Sequence, residues 1–99
     1  MNNINVNAWV ELKNENAVLV DVRTFEEYNE GHIKDSLHID IFSPSFIVEI
    51  EKLEKNKDYY IICKSGGRSM TAGEAMENIG FSKVTNLAGG MMAWMGEQV

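Results

Sequence analysis

Short strand-like segments alternate with helix-like ones along this chain, and that alternation limits its fold more than any other feature. Ala17-Val18-Leu19-Val20 is an unbroken apolar run that ends in Asp21-Val22. It is too short for a helix and rich in β-branched residues, so it reads as a buried strand. Leu37 to Ile41 alternates apolar and polar residues, the pattern of a half-buried strand in which His38 faces solvent. Tyr59-Tyr60-Ile61-Ile62-Cys63 is another buried strand, and Lys83 to Leu87 a last short one.

Helical patterns fall between these runs. Val6, Trp9 and Val10 recur at helical spacing over Asn5 to Lys13. Thr24 with Glu27 has the form of a capping box, and Gly31 stops the short helix that follows. Ser43 is placed to cap a helix with Pro44 in its first position and Phe46, Ile50 and Leu53 on one face. Ser69 to Ile79 carries the stripe Ala72, Ala75, Met76, Ile79, with Gly80 as its stop. Gly89-Gly90 opens a final turn with Met91, Trp94 and Met95 on one side. Strands alternating with helices predict an α/β domain with a mainly parallel sheet and helices on both faces.

The chain of 99 residues reads as one compact unit over 1–99. A chain of this size buries roughly 60–70% of its unfolded surface, enough for one core without disulfides. Its single cysteine, Cys63, forbids an internal disulfide and points to a reducing compartment, the cytoplasm by default. No apolar run spans a membrane and the N-terminus has no leader pattern. The net charge of −6 argues against nucleic acid or an anionic membrane as partner.

In parallel sheets ligands sit at the carboxyl ends of the strands. Cys63 is placed there, followed by Lys64, Ser65, Gly66, Gly67, Arg68 and Ser69. The glycines let the backbone curl so that successive N–H groups point into one concavity, and the helix start adds its positive end. The nucleophilic form of cysteine is the thiolate. A free thiol with a pKa of ~8.5 is only about 3% ionised at pH 7, and a cation beside a helix N-terminus shifts that balance. No histidine neighbours Cys63, so its own ionisation must supply the nucleophile. The competing reading is a small apolar residue closing a buried strand. The polar, glycine-bearing run after Cys63 favours an active site.

The sequence also resembles the single-domain rhodaneses (thiosulfate sulfurtransferase-like domains) in three ordered segments. These are Leu19-Val20-Asp21-Val22-Arg23 with Glu26-Glu27-Tyr28 and Glu30-Gly31-His32-Ile33; the loop Cys63 to Ser69; and Leu87-Ala88-Gly89-Gly90-Met91-Met92-Ala93-Trp94. The resemblance implies a three-layer α/β/α fold. It also implies a sulfurtransferase in which Cys63 takes sulfur from a small anionic donor as a persulfide and yields it to cyanide, a thiol or a protein acceptor. Backbone N–H groups from Lys64 to Arg68 would hold the persulfide, Arg68 would support the loop or the donor, and Lys64 would steer the donor. Four residues separate Cys63 from Arg68, as in sulfurtransferases of this fold. Related phosphatases have one more, which makes a phosphatase or arsenate reductase the weaker alternative. A persulfide carrier or interaction module is the other. The chain departs from the family with Phe25 and with Lys34-Asp35, where proline and Pro-Gly are frequent.

Remaining residues read as structural. Asp21 and Arg23 are taken as residues whose ion-pairing or hydrogen bonding ties the first strand to nearby loops, in preference to a catalytic role. His32 lacks a second ligand at metal spacing and is taken as a hydrogen-bonded structural residue, so no metal or cofactor is expected. Met70, Met76, Met91, Met92 and Met95 are taken as core filler and pocket wall, Trp94 as packing, and Glu49 to Glu54 as a solvated helix face.

Overall fold

The computed structural model describes residues 1–99. Its elements are β1 (Asn2–Asn5), a 3-10 turn (Val6–Ala8) leading into α1 (Trp9–Leu12), β2 (Val18–Asp21), α2 (Phe25–Glu30), β3 (Leu37–His38), α3 (Phe46–Glu51), β4 (Tyr59–Ile62), α4 (Gly67–Asn78), β5 (Val84–Ala88) and α5 (Gly90–Ala93). The sheet order is β1-β5-β4-β2-β3, and every pair is parallel. No helix is long and apolar enough to cross a membrane.

The central strands are apolar on both sides because both faces of the sheet are covered. Val20, Ile61 and Val84 pack with Phe46 and Ile50 of α3 and Ala72 and Met76 of α4. Leu19, Ile62 and Leu87 pack on the opposite face with Val6, Trp9 and Met91. This is the three-layer α/β/α arrangement. Tyr59 meets Phe81 edge-on in the first layer, and Trp9 meets Trp94 in the second.

The capping box of α2 is present: Glu27 N donates to Thr24 Oγ1 and Thr24 N donates to Glu27 Oε1. Phe25 occupies the first helical position, where a proline would fit. Asp35 has φ of 67°, a left-handed conformation that the family's frequent glycine supplies and that aspartate tolerates. The Asp21–Arg23 pair is buried: Arg23 Nη2 lies 2.7 Å from Asp21 Oδ2, with the side chains 7% and 1% exposed. Arg23 also donates to the carbonyls of Gly31 and Glu27, so it pins α2 and its exit turn to β2. His32 donates from Nδ1 to Tyr28 O and stacks on the Tyr28 ring.

Several expectations are corrected. β1 is an additional strand. The first helix is a 3-10 turn plus one short α segment, and Val10 is exposed. β3 is only two residues long, with Leu37 exposed and His38 half-buried. His38 donates from Nε2 to Arg23 O and stacks on the other side of Tyr28, so it is no solvent-side residue. α3 starts at Phe46, because Ser43 turns the chain instead: its carbonyl accepts from Phe46 N and its hydroxyl from Ser45 N. α4 starts at Gly67, two residues ahead of Ser69. Of the methionines, Met76 and Met91 are buried and Met92 lines a cleft, while Met95 is exposed and fills no core.

Candidate active site

β4 and α4 place the cysteine loop between them. Cys63 follows the last residue of β4, and its side chain is almost wholly covered. The loop turns at Gly66, whose φ of 113° is the left-handed conformation a glycine permits. Gly67 has no positive φ and serves as the first residue of α4. Burial of this kind alone fits a core cysteine. The hydrogen bonds do not. Gly66 N donates to Cys63 Sγ at 3.0 Å, and Ser69 Oγ lies 3.3 Å from the same sulfur.

Two opposing effects act on the thiol. Burial pushes its pKa up and is the largest single influence. Hydrogen bonds from the Ser69 hydroxyl and from the backbone N–H groups of Ser69, Gly66 and Ser65 pull it down, and together they win. The sulfur therefore sits in a covered cradle that favours its anion.

Arg68 does not reach toward a free site. Its Nη1 and Nη2 donate to Glu27 Oε1 and Oε2 at 2.7 and 2.9 Å, a bidentate pair across 41 residues of chain. Glu27 thus caps α2 and clamps the cysteine loop at once. The Arg68 hydrogen bonds hold its carboxyl pKa at about 2, against an ordinary 4.5. A depressed carboxyl contributes stability that is complete above its ordinary value and is lost as pH falls through the folded one. The wild-type melting point should therefore drop between pH 4.5 and about 2, and Glu27→Gln should flatten that part of the drop. At neutral pH Glu27→Gln should cost about 1 kcal/mol, because the pair is partly exposed. Thermal melts across that range check both statements.

Lys64 and Ser65 are exposed at the mouth of the loop. Lys64 makes no ion pair and borders a cleft of about 320 Å³ with Arg23, Glu27, Gly31, Met92 and Gln98. Cys63 does not line that cleft, so Lys64 is the loop's side-chain contact with it. Phe42, itself exposed, lies 5.8 Å from the Arg68 guanidinium.

The structure thus brings Cys63, Gly66, Arg68 and Ser69 together and leaves Lys64 and Ser65 at the rim. It adds residues that sequence reasoning had missed. The sequence shows Glu27 as a helix cap and as part of a family segment, and gives no sign of its pairing with Arg68. Gly90 backs the loop: Met91 N and Met92 N donate to the carbonyls of Cys63 and Lys64 at 2.9 Å each. Asn86 contacts Ser69 from β5, and its signal in the sequence is an amide in a strand whose other inward residues, Val84 and Leu87, are apolar and buried.

A family profile described as the rhodanese-like domain matches residues 6–97. A putative sulfurtransferase of Bacillus subtilis is 43% identical over 83 residues, 84% of this chain and 78% of that protein. A putative sulfur carrier protein of the same organism is 41% identical over 83 residues, 80% of this chain but only 42% of that longer protein. The crystal structure of a rhodanese-like domain protein from Staphylococcus aureus superposes with a TM-score of 0.85 at 32% identity, covering 98% of this chain and 93% of that one. The profile match, the relatives and the shared three-layer fold agree, and the chain belongs to the rhodanese-like domain family.

Proposed function

We propose that this chain is a sulfurtransferase that carries sulfur on Cys63 as a persulfide. The observation that carries the reading is a buried sulfur that accepts a hydrogen bond from Gly66 N and lies 3.3 Å from Ser69 Oγ, with four residues between it and an arginine. The Cys63 thiolate attacks the outer sulfur of a donor such as thiosulfate. A sulfur–sulfur bond forms to Cys63, the one inside thiosulfate breaks, and sulfite leaves with the electron pair. A cyanide or thiolate acceptor then attacks the outer sulfur, and the Cys63 thiolate is the leaving group.

The near-complete cover over Cys63 suits a small donor, and the free Lys64 ammonium at the mouth suits an anionic one. Backbone N–H groups from Lys64 to Arg68 stabilise the charge on the outer sulfur. Arg68 acts by fixing the loop through Glu27. The single cysteine leaves no internal thiol to resolve the persulfide, so the sulfur passes to an outside acceptor.

The test is intact mass after incubation with thiosulfate. The expected result is a gain of one sulfur atom that cyanide removes. A protein that stays unmodified and instead hydrolyses a phosphate ester would sink the reading. The similarity to a putative sulfur carrier protein favours a second reading, in which the chain loads sulfur and delivers it to a partner protein. Steady turnover of thiosulfate and cyanide marks the enzyme, while a single stoichiometric loading marks the carrier.

A further inference from the structure

Asn86 stands in β5 between Thr85 and Leu87 and is 2% exposed. A buried amide needs partners, and Asn86 has two. One is Ser69 Oγ on α4; the other is Asn3 Oδ1, to which Asn86 Nδ2 donates at 2.9 Å. Asn3 lies opposite Asn86 in the β1–β5 register and is exposed. A continuous line of side chains therefore runs from the sheet edge to the sulfur: Asn3, Asn86, Ser69, Cys63.

Ser69 sits at the branch point. Its hydroxyl has one hydrogen to donate. Three acceptors surround it: Asn86 Oδ1, Gly66 O at 3.1 Å and Cys63 Sγ at 3.3 Å. With Asn86 Oδ1 turned toward Ser69, the amide takes that hydrogen. With the amide rotated by a half-turn, Nδ2 donates to the Ser69 oxygen instead. The hydroxyl hydrogen is then released toward the sulfur, and a charged acceptor holds it more strongly than the Gly66 carbonyl. The rotated amide offers Oδ1 to Asn3, and the exposed Asn3 amide turns to donate to it.

We propose that Asn86 is a positioning residue for the nucleophile: the rotation of its amide decides whether the Ser69 hydrogen points at Cys63 Sγ or away from it, and Asn3 at the surface sets that rotation. The proposal takes from the reading above only that Cys63 acts as a thiolate. The charged groups around the loop, Lys64, Arg68, Glu27 and the Asp21–Arg23 pair, take no part in the relay.

Asn3→Asp tests it from outside the site. A carboxylate accepts and never donates, so it holds Asn86 Nδ2 outward and Oδ1 on the Ser69 hydroxyl. The substituted residue is exposed on an edge strand, away from core and loop. The measurement is the pH dependence of alkylation by iodoacetamide, which in this chain reports Cys63 alone. Asn3→Asp should raise the midpoint by about one pH unit, a tenfold loss of thiolate at pH values below it. The direct field of an exposed carboxylate is removed by measuring at ~1 M salt, where screening acts within about 3 Å. At that salt the shift should persist in the otherwise wild-type chain and vanish in Ser69→Ala and in Asn86→Leu backgrounds. A shift that survives in either background, or no shift in the otherwise wild-type chain, overturns the proposal. Alkylation reads the thiol and not turnover, so a chain that transfers no sulfur can still pass, and one that transfers sulfur can fail.

Discussion

Cys63→Ser should leave the domain folded and abolish sulfur uptake from thiosulfate. The two side chains differ by one atom, and the serine oxygen meets the same donors, Gly66 N and Ser69 Oγ. The stability change should stay within about 1 kcal/mol, because the new polar atom is satisfied. The chemistry has no such substitute. A hydroxyl remains protonated at neutral pH unless a base activates it. The groups within reach of this side chain, Gly66 N and Ser69 Oγ, are donors, and no histidine is among them. Intact mass after thiosulfate treatment should therefore show no added sulfur, and the melting point should move by no more than about 8 °C. The same pair of measurements separates the two readings of this residue. A core cysteine would give a large loss of stability in Cys63→Ser and no sulfur uptake in the wild-type chain either, since no other thiol is present.

The parts of this fold that the sequence reveals are those whose cause is local. β2 and β4 are legible because a strand covered on both faces must be apolar throughout, as Val18 to Val20 and Tyr59 to Ile62 are. The α2 start is legible because Thr24 and Glu27 exchange their bonds within one turn. Cys63 is legible because its strand, its glycine turn and its helix follow one another directly. A structural role for Asp21 and Arg23 is legible because charges at the end of a buried strand need partners; that they are each other's partners is seen only in the fold.

What the sequence conceals is long-range. β1 is Asn2-Asn3-Ile4-Asn5, and asparagine is a poor strand former. It becomes a strand only because β5 offers an edge to pair with. Arg68 gives no sign that its partner is Glu27, since the two meet only when α2 and the loop are both in place. His38 looks like the outward residue of an alternating strand, yet Tyr28 and Arg23 O claim it. The start of α4 moves from Ser69 to Gly67 because Gly66, in its left-handed conformation, ends the loop early. In the candidate site, the nucleophile is legible and its supports are not, because the supports come from α2, β5 and α5.

Gly90→Ala is where that hidden support should be most visible. Gly90 has φ of 56°, and a β-carbon there would stand 2.5 Å from the Cys63 carbonyl oxygen and 2.6 Å from that of Lys64. Both neighbours are backbone, so no flexible side chain can move aside. The same carbonyls accept from Met91 N and Met92 N, which leaves the strand end and α5 no slack to separate. The left-handed conformation itself costs a non-glycine residue about 1–2 kcal/mol, and the forced shift of packed backbone adds about 1–3 kcal/mol. Together these should lower the melting point by more than about 10 °C. The displacement falls on the carbonyls of Cys63 and Lys64, the two residues that begin the cradle. Sulfur uptake should therefore fall by more than about tenfold even at temperatures where the variant is folded, since a misplacement of ~1 Å at a reacting group costs on that scale. Gly67→Ala is the control for stability. Gly67 has no positive φ and nothing within 4 Å of an added β-carbon, and alanine favours the helix it begins. Its melting point should stay level or rise. If Gly90→Ala melts like Gly67→Ala and loads sulfur at the wild-type rate, the contact between α5 and the cysteine loop does not hold the nucleophile in place.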